Sequence, residues 1–205
     1  MAPFPSLETI DFLVYSRVAS STADVERDQA LHEEHWAYMD RFADGMTARG
    51  PTFAADRATW TGSLHIVDLP SVGAARHFVE AEPYNRAGLF ESHLIRRFED
   101  LLGRTMWEFA RRSDEPIFLV LAQMPAEDCE HPSSALPTDL TGLPPERLIV
   151  HGALLTAELD TPVGVAVALQ APARDAVEAL VGSGRARFGD ELDVQIHDWE
   201  FGGRR

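Results

Sequence analysis

The 205-residue sequence contains no lysine and a single cysteine, Cys129. One cysteine excludes an intrachain disulfide framework and is typical of a reducing compartment. The 18 basic residues are all arginines, and 33 acidic residues outnumber them, so the formal charge is −15 at pH 7. A nucleic-acid-binding protein needs a basic surface, and anionic membranes repel an acidic one. We therefore expect neither nucleic acid nor a membrane as a partner.

Several other signals are missing. No apolar run approaches the roughly 20 residues that cross a bilayer, and Met1–Thr9 lacks the basic and apolar regions of a secretory signal. The sequence has no glycine-rich phosphate-binding motif, no G-x-S-x-G and no C-x-x-C. Nucleotide binding and nucleophilic catalysis are thus poorly supported. A cytoplasmic location is the expectation.

What remains is a composition typical of a globular protein, with 45% hydrophobic and 25% charged residues. The apolar patterns of the first half predict the order strand, helix, strand, strand, helix, strand. The predicted strands are Asp11–Val18, Thr52–Ala55, Thr59–Leu69 and Leu89–Phe98, and the helices are Val25–Arg49 and Val72–Ala81. A short extra strand is expected at Arg104–Phe109. This order is that of the ferredoxin-like, split βαβ fold.

The second half repeats this pattern at a nearly constant offset. Phe118 follows Phe12 by 106 residues and Gly152 follows Gly50 by 102, which indicates a tandem duplication. Five prolines between Met124 and Glu146 exclude a long helix there, so the second copy has lost most of its first helix.

The duplication predicts two α+β units, at residues 1–111 and 117–205. Each ferredoxin-like unit leaves one face of its sheet uncovered by its own helices. We expect the two faces to pair and to close an intrachain α+β barrel, whose concave interior is the kind of site that holds small molecules.

His35 is the leading candidate for chemistry. It lies on an apolar stripe of the predicted helix, with Leu31, Tyr38, Met39, Phe42 and Met46 at steps of three and four. Burial lowers the pKa of a histidine and a neighbouring carboxylate raises it, so such a group can move protons near neutral pH. The alternative is a core histidine with ring nitrogens satisfied by the backbone.

Glu82 ends the second predicted helix directly before Pro83, which fixes the local backbone. Its carboxylate either orients His35 or takes a proton itself, or it is a solvated charge at a helix end. His32 and His35 are three residues apart, whereas the zinc motif H-E-x-x-H places its histidines four apart. We therefore predict no metal.

The candidate substrate-binding residues are Tyr15, Tyr38, His65 and Tyr84. Alternation along the third strand separates Ser63, His65 and Val67 from Gly62, Leu64 and Ile66. The second set is more apolar and is expected to face the helices. His65 would then point into the interface between the two halves.

Three runs of residues resemble the YciI-like, or YCII-related, family. They are HWAYMDRFADGMTARGP (His35–Pro51), WTGSLHIVDLPSVGAARHF (Trp60–Phe78) and EPYNRAGLFE (Glu82–Glu91). The resemblance covers roughly Phe12 to Phe98 and implies a ferredoxin-like fold that assembles as a dimeric α+β barrel. It also implies a pocket centred on a histidine and an acid, which here are His35 and Glu82, with glutamate in place of the usual aspartate. The second half has no counterpart of the histidine.

Activities on this kind of barrel include dehydrochlorination of a chlorinated hydroxyquinol, muconolactone isomerisation, cofactor-free oxygenation and haem chemistry. The resemblance, with His35, predicts a cofactor-independent lyase or isomerase acting on a small cyclic or aromatic-derived metabolite. The alternatives are a non-catalytic small-molecule-binding protein, and a cofactor-free monooxygenase or haem protein on the same barrel. The chain is expected to be a monomer or a homodimer.

Overall fold

The computed structural model describes residues 10–19, 28–112, 115–124, 145–156, 161–188 and 192–203. Eight strands and four α-helices lie in these ranges. In chain order they are β1 Ile10–Val18, α1 Gln29–Asp40, β2 Met46–Phe53, β3 Trp60–Leu69, α2 Val72–Ala81, α3 Pro83–Arg86, β4 Phe90–Asp100, β5 Ile117–Gln123, β6 Leu148–Leu155, β7 Pro162–Gln170, α4 Arg174–Phe188 and β8 Asp193–Trp199. None of these helices is long and apolar enough to cross a membrane.

The eight strands close into an antiparallel barrel in the order β1-β3-β2-β8-β5-β7-β6-β4. The first four strands are arranged as β4-β1-β3-β2 and the last four as β8-β5-β7-β6, which is the ferredoxin-like order twice. Pairing of β2 with β8 and of β4 with β6 joins the two sheets within one chain. The predicted fold class, an intrachain α+β barrel, is confirmed.

The strand registers of the two halves correspond at the predicted offsets. Gly62 lies opposite Arg17 of β1 in the first half, and Gly164 lies opposite Gln123 of β5 in the second. The division into units at 1–111 and 117–205 stays a prediction. The predicted loss of a helix between Met124 and Glu146 falls mostly on residues 125–144, which lie outside the described ranges.

Both faces of the first sheet are buried, because alternate residues enter different cores. Leu13 of β1 packs inside the barrel with side chains of the second half. Phe12 and Val14 face the other way, onto the helices. The barrel interior is therefore largely filled by apolar side chains and is not the main hollow that the sequence predicted.

Three predicted elements are wrong in their bounds or type. The first helix ends at Asp40 rather than Arg49, and β2 begins at Met46 rather than Thr52. The apolar steps that predict a helix through Met46 belong instead to a short 3₁₀ turn and a strand, because pairing with β3 outweighs local periodicity. The strand expected at Arg104–Phe109 is a 3₁₀ turn at Met106–Glu108, closed by a capping box from Thr105.

The orientation predicted for His65 is also wrong. Leu64 and Ile66 point into the barrel, and Val67 packs against the helices. His65 shares the helix-facing side of β3, where its ring lies 5.6 Å from that of Phe78 on α2. Ser63 and His65 thus face the space between sheet and helices, not the interface between the halves.

One consequence of the fold is an acidic cluster that destabilises it at neutral pH. Asp11 lies opposite Asp68 in the register of β1 and β3. Burial, together with the carboxylates of Asp68 and Asp100, raises the pKa of Asp11 from its usual 3.8 to about 6. A carboxyl group with a raised folded-state pKa stabilises the fold below about pH 4, and that stability is lost as pH rises through 6.

We therefore expect Asp11→Asn to stabilise the protein above pH 6, by about 1–2 kcal/mol after allowance for solvent screening. The gain should shrink towards pH 4. Urea unfolding across pH 4–8 measures it. Asp56→Asn is the control and should change stability in the opposite direction, destabilising the protein at neutral pH. Hydrogen bonds from Thr59 and the Ala58 N–H lower the pKa of Asp56 to about 2. A pH-independent gain for Asp11→Asn would contradict the argument.

Candidate functional site

A cavity of about 320 Å³ lies on the helix-facing side of the first sheet. Strands β2 and β3 form its floor, α1 and α3 form one wall, and the segment after β8 forms another. The lining residues are His32, His35, Trp36, Arg49, Gly50, Pro51, Phe53, Ala58, Trp60, Ser63, His65, Tyr84, Gly202 and Gly203. The cavity is thus mainly a feature of the first half, completed by a segment of the second.

His35 and Glu82 meet at this cavity. The His35 Nδ1 atom lies 2.6 Å from Glu82 Oε1, and their side chains are 12% and 5% exposed. Glu82 is also the N-cap of α3, because its Oε2 accepts a hydrogen bond from the Asn85 N–H at 2.8 Å. Pro83 at the first helical position fixes the backbone there. Both carboxylate oxygens are engaged, so the carboxylate cannot rotate freely.

This contact sets the tautomer of His35. A carboxylate only accepts hydrogen bonds, so Nδ1 carries the proton and Nε2 of the neutral ring is a free acceptor. Among the described residues Nε2 has no hydrogen-bond partner. The ring itself is held by Tyr84, which stacks on it at 4.1 Å between centroids and 11° between planes. An imidazole held in this way is a competent base.

The floor carries a second histidine and an arginine. In the register of β2 and β3, Arg49 lies opposite His65. Desolvation lowers the pKa of His65 well below 6.5, and repulsion from His35, when that ring is protonated, and from the Arg49 guanidinium lowers it further. His65 is therefore neutral at physiological pH. Its ring lies 6.2 Å from that of His35.

Arg49 is a site residue that the sequence prediction missed, because the predicted helix ran through it. Its side chain is 6% exposed and lies 3.5 Å from Asp40 Oδ1. It donates a hydrogen bond to the carbonyl of Gly203, and its own carbonyl accepts from the Gly202 N–H at 2.8 Å. The sequence predicted the strand only from Thr52 onwards, three residues after Arg49.

Of the four predicted substrate-binding residues, two line the cavity and two do not. Tyr84 and His65 line the cavity, as described. Tyr15 lies inside the barrel, 3.4 Å from Thr52 Oγ1, and does not reach the cavity. Tyr38 packs between α1 and α2, where its hydroxyl donates to the Phe78 carbonyl at 2.9 Å and burial raises its pKa to about 12. Tyr38 is a core residue rather than a cavity residue.

The sequence reasoning also left out three aromatic groups of the wall. His32, Trp36 and Trp60 line the cavity together with Tyr84. The sequence analysis considered His32 only as a metal ligand and did not propose Trp36 or Trp60 as site residues. Within the described ranges, no three His, Cys, Asp or Glu side chains are grouped as metal ligands would be.

Comparison with known proteins gives a family for the part of the chain that holds this cavity. Residues 12–99 match the model of the YCII-related domain. No curated protein sequence matches the chain. Over 44% of this chain and 95% of the other, the chain is 28% identical to a 5-chloro-2-hydroxyhydroquinone dehydrochlorinase from Burkholderia phenoliruptrix AC1100, solved with 2,5-dihydroxybenzoquinone, with a TM-score of 0.41.

Two solved structures match nearly the whole barrel. A mutant chlorite dismutase from Candidatus Nitrospira defluvii has 11% identity and a TM-score of 0.55, over 94% of this chain and 92% of that one. An anthrone oxidase-like protein has 15% identity and a TM-score of 0.50, over 99% and 96%. At these identities the likeness shows the fold alone, an α+β barrel.

Proposed function

We propose that this chain, which carries a YCII-related domain at residues 12–99, is an enzyme that moves protons on a small cyclic or aromatic-derived molecule. The reaction type is that of a cofactor-independent lyase or isomerase. The observation that carries the proposal is the 2.6 Å contact of His35 Nδ1 with Glu82 Oε1, which leaves Nε2 of the ring as a base at a cavity.

The proposed chemistry begins at His35. Its Nε2 takes a proton from a C–H or O–H of the substrate, and the bonding electrons become an enolate or phenolate. Return of that proton to another atom is isomerisation, whereas departure of a leaving group with its electron pair is elimination. Glu82 stabilises the imidazolium formed in the first step and keeps the ring oriented. Such proton transfer contributes about 10²–10⁴-fold to a rate.

Arg49 is suited to the oxyanion that develops. Its guanidinium is a buried cation at the cavity floor, beside a neutral His65 and 3.5 Å from Asp40 Oδ1. A buried cation interacts with a developing negative charge much more strongly than an exposed one, because little water screens it. We propose that Arg49 holds the substrate oxygen while His35 acts on the neighbouring atom.

The cavity also limits the size of the substrate. Ligand pockets commonly measure roughly 300–1,000 Å³, so a volume of about 320 Å³ suits a molecule of one ring. The aromatic wall offers Trp36, Trp60 and Tyr84 as surfaces for a planar ring. A volume of about 320 Å³ suits one ring better than the four pyrrole rings of a porphyrin. Haem is therefore not part of the proposed mechanism.

The proposal is tested by incubating the purified chain with a panel of chlorinated hydroxyquinols, enols and lactones. We expect turnover of at least one member, seen as chloride release or as a new species by NMR. A compound that binds at this cavity without being converted, with no member of the panel turned over, would indicate a non-catalytic binding protein instead. A Soret band in the purified protein would overturn the cofactor-independent mechanism.

A further inference from the structure

A second histidine, His32, lines the same cavity three residues before His35 on α1. Its Nδ1 atom lies 2.7 Å from the hydroxyl of Tyr84, and the two rings meet edge-on with centroids 5.6 Å apart. The same tyrosine ring stacks on His35. Tyr84 thus contacts both imidazoles, one through its hydroxyl and one through its face.

The hydrogen bond between Tyr84 and His32 has a definite direction. Tyr84 is 7% exposed, and His32 is the only partner of its hydroxyl within the described ranges. A buried hydroxyl hydrogen without an acceptor is costly, so the O–H donates to His32 Nδ1. Burial and the charge of Glu82 raise the pKa of Tyr84, which keeps that proton on the phenol oxygen.

The two histidines are therefore held in opposite tautomers. His35 donates from Nδ1 to a carboxylate, so its Nε2 is a bare acceptor. His32 accepts at Nδ1 from a hydroxyl, so its Nε2 carries the proton and is a donor. One cavity thus contains an imidazole that accepts protons and an imidazole that offers one.

We propose that His32 is a catalytic hydrogen-bond donor to the substrate, held in its Nε2–H tautomer by Tyr84. The class of substrate that fits such a pair is a ring with an acidic C–H or O–H and a neighbouring carbonyl or hydroxyl oxygen. This inference rests on the proposed function, since it assigns a second role at the same site.

The step is balanced without a full proton transfer from His32. His35 Nε2 takes the substrate proton, and the electron pair of the broken bond moves onto the neighbouring oxygen. The His32 N–H remains bonded to nitrogen and strengthens its hydrogen bond to that oxygen as charge develops. His32 needs no positive charge for this role, because a neutral imidazole that accepts at Nδ1 still donates from Nε2–H.

The tautomers can be measured in the full chain without any substrate. In protein labelled with ¹⁵N-histidine at pH 8, long-range ¹H–¹⁵N correlations should show His32 protonated at Nε2 and His35 at Nδ1. Tyr84→Phe keeps the ring but removes the hydroxyl, so it should change the His32 pattern. Glu82→Gln is the matched variant and should change His35. Finding His32 protonated at Nδ1, or unchanged in Tyr84→Phe, would overturn the proposal.

Kinetics with a substrate from the panel test the catalytic role. Removal of one donor to a developing oxyanion costs about 10²–10³-fold in kcat, so His32→Ala should lower kcat by about 10²-fold with little change in KM. His32→Gln keeps an N–H donor at a similar reach and should recover part of the loss. Equal activity in wild type and His32→Ala would refute the role. If no compound of the panel is converted, the proposed function is contradicted. The NMR measurement tests the tautomer of His32 without any substrate, so its outcome is independent of the panel.

Discussion

Replacing His35 with asparagine is expected to lower kcat by about 10²–10⁴-fold, which is the usual contribution of a general acid or base. Asparagine suits the test because its amide N–H can still donate to Glu82 Oε1, the partner of Nδ1. The buried carboxylate then keeps a donor, so the variant should fold. What it loses is Nε2, the atom that takes the proton. Initial rates on a substrate from the panel measure the effect.

His77→Asn is the matched control, because His77 is an exposed histidine on α2 away from the cavity. It should keep wild-type kinetics. Circular dichroism and thermal unfolding should show that both variants are folded. Wild-type turnover by folded His35→Asn would remove the central step of the proposed mechanism, whatever the role of the cavity in binding.

The order of elements was predictable because each has a clear local signal. Helix α2 begins after Ser71, whose hydroxyl accepts a hydrogen bond from the Ala74 N–H. It ends before Glu82, the residue that precedes Pro83. The sequence reasoning therefore placed it at Val72–Ala81, as observed. The end of α1 has no such marker. A helical apolar pattern continues through Gly45 into Met46, and only pairing with β3 makes those residues a strand.

The face of β3 that carries His65 could not be predicted for a different reason. Hydrophobic alternation separates two faces but does not say which is inside, and here both are buried. The more apolar face meets the second sheet, and the face with Ser63 and His65 meets the helices and the cavity.

The pairing of His35 with Glu82 could be predicted from the sequence, because the family resemblance implied a pocket centred on these two residues. The contact of Arg49 with Gly203 was not, since the two are 154 residues apart and depend on barrel closure. The second half thus supplies part of the cavity wall, through Gly202 and Gly203.

That wall depends on a close approach between Gly50 and the segment after β8. A Cβ atom on Gly50 would lie 1.9 Å from the Glu200 carbonyl oxygen, a backbone atom that cannot move without the segment. The Glu200 N–H donates to the Pro51 carbonyl at 3.1 Å, and the Gly202 N–H donates to that of Arg49. An alanine at position 50 must therefore separate the segment from β2 and release Gly203 from Arg49.

We expect Gly50→Ala to destabilise the protein by about 1–3 kcal/mol, as overpacking does, and to reduce kcat/KM because the cavity loses a wall. Urea unfolding and initial rates measure the two effects. Gly73→Ala is the matched control. Gly73 lies in the first turn of α2, its added Cβ would meet its nearest neighbour at an ordinary 3.6 Å, and the change should stabilise by about 0.5–1 kcal/mol. Unaltered stability and turnover in Gly50→Ala would mean that the segment does not close the cavity in solution.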